Sequence, residues 1–338
     1  MARTAQAGAQ MNRLRANDPC WCGSRQKLKR CHGDFARPAA PVRPGRVAPP
    51  RAAPASIERP WYIESGHRGP DRGPVQVIDD PDDFARLHTA CRIAAEVLAT
   101  TGAAVAPGVT TDDLDEIAHA AYIERGAYPS TLHYQGFTKS ICTSVNEVVC
   151  HGIGDDRPLR DGDIVNIDVT AYIGGMHGDT SATFTVGSVT PSVGGLVDTC
   201  REALHRGVAA VTSGSSLGEI GRAIQPFASS RGFGVVADYG GHGIGRHFHA
   251  APHVDHVVRP STQMVTDGMV FTIEPMLTAG SSRHQQWDDG WTEVSVDLLP
   301  SAQFEHTVIV FDGVAQVLTL ADGGQPAVAR RIATDGSQ

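Results

Sequence analysis

The chain has 338 residues, 41% hydrophobic and 20% charged, with a net charge of −8, values that suit an ordinary soluble globular protein. No stretch approaches the roughly 18 apolar residues of a membrane helix, and Met1-Ala2-Arg3-Thr4 lacks the apolar core of a secretory leader. The seven cysteines are too few and too scattered for a disulfide framework, so the expectation is a cytoplasmic protein without a membrane partner.

The charge is unevenly divided. Residues 1–60 carry 12 Lys/Arg against 3 Asp/Glu, a net of +9, which leaves −17 on the rest. A basic arm on an acidic body suits contact with RNA or another polyanion, or simply solubility.

Residues 1–17 show no periodicity and are expected to be a disordered basic tail. Within 18–34, Cys20, Cys22, Cys31 and His32 follow a C-x-C-x8-C-H spacing. Three thiolates and one imidazole so close together suit tetrahedral zinc, and a segment this short needs a metal in place of a core. Residues 35–60, rich in Pro, Ala and Arg, are expected to form an extended spacer with almost nothing to bury. An irregular stretch, 61–80, should dock through Trp61-Tyr62-Ile63. The globular pattern runs from Pro81 to about residue 325, and 326–338 is expected as a disordered tail.

Phe84, Leu87, Cys91, Ala94 and Val97 give the first helix its apolar face, and Thr110 or Thr111 caps a second helix running to about Arg125. Strands are expected at 141–149, 163–172 and 176–186. The order then repeats: a helix over 191–211, a helix capped by Ser216, and strands at 234–238, 269–277, 291–299 and 303–311. Two α+β halves related by a pseudo-twofold are therefore expected. Cys91 and Cys200 fall on apolar helix faces and Cys150 packs inward. His247, His253, His256 and His284 are expected to have surface or supporting roles.

Polar residues interrupt the strands in a telling way. In Ile164–Thr170, alternation puts Val165, Ile167 and Val169 on one face and Asn166, Asp168 and Thr170 on the other. A two-residue turn at Gly174-Gly175 would pair Ile173 with Met176 and Asp168 with Ser181, which sets Asp179 diagonal to Asp168. Glu274 and Glu305 break runs otherwise fit to be buried, and His242 sits in the glycine-rich Tyr239–Gly245. Buried carboxylates need partners. Four of them with one imidazole can hold two divalent cations, with Asp179 and Glu305 bridging.

The runs Ser144–Ile153, Asn166–Thr170, His177–Thr180, Gly241–Gly245, Phe271–Met276 and Gln303–Thr307 resemble type I methionine aminopeptidases, in family order across about residues 80–320. The resemblance implies a pita-bread fold and an enzyme that removes initiator methionine before a small second residue, acting on nascent chains; a monomer is expected. It places five metal ligands on Asp168, Asp179, His242, Glu274 and Glu305, for two ions among Co, Mn, Fe, Ni and Zn. It makes His151 and His249 the substrate-contacting histidines and Glu274 the proton shuttle. Tyr134, Phe137, Cys142, Phe248 and Trp291 should line the methionine pocket with His151 and His249. Phe137-Thr138-Lys139 departs from the family, which commonly has proline at the middle position. Residues 18–34 resemble the SEC-C zinc motif, which with its basic flanks suggests ribosome docking. An Xaa-Pro peptidase using the same five ligands and a metal-free binding protein of the same fold are the rival readings.

Overall fold

Two helices followed by strands, twice over, build the structure, a computed structural model that describes residues 17, 27, 41–66 and 72–321. Cys20, Cys22, Cys31 and His32, and the expected tail 326–338, lie outside the described residues. The helices are α1 (Trp61–Glu64), α2 (Pro81–Ala103), α3 (Thr111–Glu124), α4 (Pro191–Ala209) and α5 (Gly218–Ser230). The first-half strands are β1 (Tyr128–Pro129), β2 (Cys142–Val145), β3 (Val148–Cys150), β4 (Ile164–Ile173) and β5 (Met176–Thr185). The second half begins with β6 (Gly234–Val235), β7 (Gly241–Gly243), β8 (Ala250–Val254), β9 (Val270–Ile273) and β10 (Met276–Thr278). It ends with β11 (His284–Gln286), β12 (Glu293–Ser295), β13 (Ser301–Gln303), β14 (Glu305–Phe311) and β15 (Val314–Val317).

Local chemistry fixes the helix starts. Asp80 accepts hydrogen bonds from the Asp82 and Asp83 amides at 2.9 and 3.0 Å, with Pro81 in the first turn, where its missing N–H costs nothing. Thr110 and Asp113 form a reciprocal capping box at α3. Thr190 caps α4 ahead of Pro191, and the Ser216 hydroxyl accepts from the Gly218 amide at 3.1 Å.

The two halves share one nine-stranded sheet, ordered β1-β4-β5-β14-β9-β7-β8, with β2 on β4 and β15 on β14. Gly174 and Gly175 take φ of 60° and 78°, as a tight hairpin turn demands, and the pairs Ile173–Met176 and Asp168–Ser181 form as the spacing predicts. Ser181 then pairs with Glu305 across the junction between halves. Val165, Ile167 and Val169 bury against Ile93, Ala94 and Val97 of α2 and Leu114 of α3. A second core packs α4 and α5 on β9 and β14. Gly178 permits the close fit of α2, since a Cβ there would stand 2.4 Å from the Cys91 nitrogen. That contact seats the strand one residue from Asp179.

Several expected strands come out shorter or divided: 141–149 splits at Asn146-Glu147 and 291–299 keeps only Glu293–Ser295. The run 269–277 divides at Glu274-Pro275, where proline offers no amide to the ladder and the Glu274 amide donates to His256 Nε2 at 3.1 Å instead. The run 303–311 divides at Phe304, and 234–238 keeps only Gly234–Val235.

Residues 41–60, expected as part of a free spacer, correct that expectation. They have little regular structure but lie against the body as a strap. The Val42 amide donates to Glu147, and the Gly45 amide to Asp155 at 2.6 Å. Arg51 reaches Asp115 at 2.6 Å and Asp112 at 3.2 Å. Ile57 is buried with Tyr128, Leu132 and Tyr172, and Tyr62 of α1 donates to the Ser130 carbonyl at 2.7 Å. Trp61, by contrast, stays 42% exposed. The strap is held by its own backbone groups, by the Arg46 and Arg51 guanidiniums and by the Glu58 carboxylate, a mode of binding that needs few apolar residues.

Candidate active site

Asp168 of β4, Asp179 of β5, His242 of β7, Glu274 just beyond β9 and Glu305 of β14 all reach one cleft at the junction of the halves. Strand alternation aims the first two there, with Thr170 between them donating to Asp179 at 2.9 Å. Thr272 donates to Glu274 at 2.9 Å and accepts from the His242 amide at 3.0 Å, tying β7 to β9. The glycines around His242 serve strand packing. A Cβ at Gly241 would lie 2.1 Å from the Thr272 carbonyl, and one at Gly243 2.0 Å from that of Ala251.

The donors crowd together. One donor atom each from Asp179, His242 and Glu305 lies within 4.8 Å of the other two, and His242 Nε2 stands 3.8 Å from Asp179 and 3.6 Å from Glu274. Burial, and then mutual repulsion, push Asp179, Glu274 and Glu305 above the usual carboxylate range; burial likewise raises Asp168. Burial lowers His242 to about 4. Its Nδ1 faces the Gly243 carbonyl at 3.2 Å, which assigns the proton to that nitrogen and turns the Nε2 lone pair toward the carboxylates. Lone pairs facing lone pairs in a buried site repel unless a cation lies among them. The residues present therefore fit divalent metal ions, with oxygen donors and one imidazole.

The expected pocket residues Tyr134, Phe137, Cys142, Phe248 and Trp291 line the same cleft, as do His151 and His249. Phe137 and Trp291 meet edge to face at 5.2 Å; Tyr134 and Phe248 meet at 4.9 Å. Burial lowers His151 to about 4 and pushes His249 well down, so both are neutral near pH 7. His249 packs 4.3 Å from the His242 ring, and its Nδ1 has no hydrogen-bond partner among the described residues. His151 adopts φ of 55° at the end of β3, a conformation a side chain tolerates only where its surroundings enforce it. Of the histidines assigned supporting roles, His256 is buried directly behind Glu274.

Sequence reasoning did not place Tyr239, Met276 or Thr170 in the cleft wall. Each adjoined a flagged residue: Tyr239 precedes the glycine run, Met276 follows Glu274-Pro275, and Thr170 shares the polar face of Asp168. Lys139 is fully buried, its ammonium donating to Asp112 and to the strap carbonyl of Ala48. The departure from the family at Thr138 thus sits beside a charge held in place by the strap.

Carboxylates and an imidazole gathered at the seam of two like halves, under an aromatic pocket, define a metallohydrolase of the pita-bread class. The model for metallopeptidase family M24 matches residues 85–312, and that for the SEC-C motif residues 17–34. Methionine aminopeptidase 2 of Mycobacterium tuberculosis is 50% identical over 277 residues, 82% of this chain and 96% of that protein. The crystal structure of methionine aminopeptidase from Rickettsia prowazekii is 42% identical with a TM-score of 0.71, covering 73% of this chain and all of that one. Prolidase from Pyrococcus furiosus, 21% identical with a TM-score of 0.59 over 72% of this chain and 66% of that one, shares the fold. The chain belongs to metallopeptidase family M24, in its methionine aminopeptidase branch.

Proposed function

We propose that this protein removes the N-terminal methionine from nascent proteins and peptides whose second residue is small, working in the cytoplasm. The observation that carries the reading is the placement of five metal-type side chains at the floor of a cleft walled by Tyr134, Phe137, Cys142, Phe248 and Trp291. Asp168, Asp179, His242, Glu274 and Glu305 would hold the two divalent cations. When bound, such ions supply Lewis acidity that makes water nucleophilic near neutral pH and polarises a carbonyl.

The chain's own residues do the rest. The aromatic walls take an unbranched thioether side chain, excluding water and orienting the first peptide bond. Neutral His249 presents an N–H to the oxygen of the scissile carbonyl as charge develops there. His151 contacts the substrate beside the scissile bond. Glu274, its carboxyl raised by burial, suits carrying a proton to the leaving amine. Cys20, Cys22, Cys31 and His32 would bind one structural zinc, and the basic module bearing them would dock on the ribosome. Hydrolysis of Met-Ala-Ser against Ala-Pro peptides, with metal content measured on the same sample, tests the reading. Faster cleavage of the Ala-Pro series would transfer the protein to the Xaa-Pro peptidases of the same fold.

A further inference from the structure

His151 is held without a polar tether: its ring makes no hydrogen bond to another described residue. Two aromatic edges hold it instead, Tyr239 at 5.2 Å and 86° and Trp291 at 5.9 Å and 89°. Perpendicular ring pairs of this kind contribute only about 1 kcal/mol each beyond their buried area. The orientation of His151 therefore depends on how firmly the two partner rings are fixed.

Tyr239 is fixed by a carboxylate outside all six sequence runs. Its hydroxyl donates to Glu293 Oε1 at 2.9 Å. Gln286 Nε2 donates to the same oxygen at 3.2 Å, and His284 Nδ1 stands 2.7 Å from Glu293 Oε2. The Glu293 side chain is only 5% exposed, and a buried carboxylate is retained at some cost. Its backbone pairs with Cys150, the residue before His151. Glu293 thus meets His151 by two routes, through the strand and through Tyr239.

We propose that Glu293 is a positioning residue: by anchoring the Tyr239 hydroxyl it holds the Tyr239 ring against His151, and so sets the angle at which His151 meets the peptide bond being cleaved. This rests on His151 contacting the substrate, as proposed above. The strand route would survive loss of the side chain, whereas the route through Tyr239 would not, so the two can be separated.

The experiment is a mutant cycle on the full-length, metal-loaded enzyme with Met-Ala-Ser, measuring kcat, KM, metal content and melting temperature for each variant. Tyr239→Phe keeps the ring and removes the tether; Glu293→Ala removes the anchor. Each is expected to lower kcat about 5- to 10-fold, as small misplacements near reacting atoms do, with KM within about twofold and metal content unchanged. Glu293→Gln keeps an oxygen for Tyr239, and His284 can exchange tautomers to accept from the new amide. Its kcat should stay within about twofold of the parent. In a His151→Ala background, Tyr239→Phe and Glu293→Ala should cause no further loss. Losses that multiply in the double variants, or that follow metal loss, overturn the positioning role alone. Full kcat in His151→Ala overturns the substrate contact on which it rests.

Discussion

Arg51 Nη1 lies 2.6 Å from Asp115 Oδ2, joining a residue of the N-terminal strap to an α3 carboxylate whose side chain is 1% exposed. The other oxygen of Asp115 accepts from the backbone amide of Ser140 at 2.6 Å and that of Ile141 at 3.3 Å. Those residues lie between Phe137 and Cys142, both of which wall the cleft. His119 completes the set, contacting the Ser140 hydroxyl at 2.8 Å and the Ala52 carbonyl at 3.3 Å. The basic arm is therefore partly a structural counter-charge set behind the methionine pocket.

Arg51→Ala should strip Asp115 of its direct cationic partner, leaving Lys139 and two amides around a buried charge. A loss of about 2–3 kcal/mol is expected, below the full cost of breaking a buried pair because Arg51 is partly solvated. Denaturant unfolding measures it. A chain beginning at Ala55 loses the Ala48 and Ala52 carbonyls as well, and should lose stability and tripeptide cleavage together, while a chain beginning at Pro41 keeps both. An unchanged unfolding midpoint in the Ala55 chain would show the strap to be passive.

The metal site gives a prediction with two signs. Asp168→Asn and Glu305→Gln should each abolish measurable metal binding by at least one ion and cut activity about 100-fold or more. In metal-free protein the same changes remove one of four crowded carboxylates, so melting temperature should hold or rise. Added metal should then stabilise the parent more than the variants, since each ion that binds only the folded state adds to its stability. Equal stabilisation of parent and variants by metal would mean that these side chains are not its ligands.

Much of the site is legible in the sequence because Asp168, Glu274 and Glu305 each break an apolar run, and such a break has a cost that needs a reason. Asp168 stands out against Val165, Ile167 and Val169 for this reason, and the Gly174-Gly175 turn then fixes the register that sets Asp179 beside it. The strap is not legible in the same way. Its anchors are main-chain groups and a few charged side chains, and their partners lie roughly 60 to 115 positions away. Local composition shows only proline and alanine with little to bury. Glu293 is hidden likewise, since its meaning depends on Tyr239, which the fold brings to it across 54 positions.

Pocket chemistry gives a third test. Trp291 meets both Phe137 and His151 at right angles, so it closes the slot for the first side chain. Trp291→Ala should raise KM for Met-Ala-Ser about 5- to 10-fold, roughly 1 kcal/mol of lost apolar contact, and should lower kcat as well, because the same ring supports His151. Preference for methionine over leucine should narrow as the slot widens. A variant that loses kcat alone would place Trp291 with the reacting groups and not with the pocket.

The last prediction concerns the N-terminal module, whose reach the strap shortens. With 35–60 free, the zinc segment could stand some 70–80 Å from the catalytic body at about 3.1 Å per residue. Because Val42 and Gly45 are pinned to Glu147 and Asp155, only the stretch between His32 and Pro41 separates the module from the body. Even fully extended, about eight residues span no more than roughly 30 Å. A module docked on the ribosome would then hold the cleft close to that surface, raising the effective concentration of emerging chains. Removing residues 1–40 should release one zinc per chain and leave tripeptide cleavage intact, because the strap remains. Co-sedimentation with ribosomes should fall in that chain and in Cys20→Ser and Cys31→Ser. In the parent it should weaken as salt rises if the basic residues meet RNA. Lengthening the 33–40 stretch with a flexible insert should keep binding but slow removal of methionine from ribosome-bound chains. Unchanged co-sedimentation in both cysteine variants would remove the docking role, and an insert without effect on nascent-chain processing would show that the short reach is incidental.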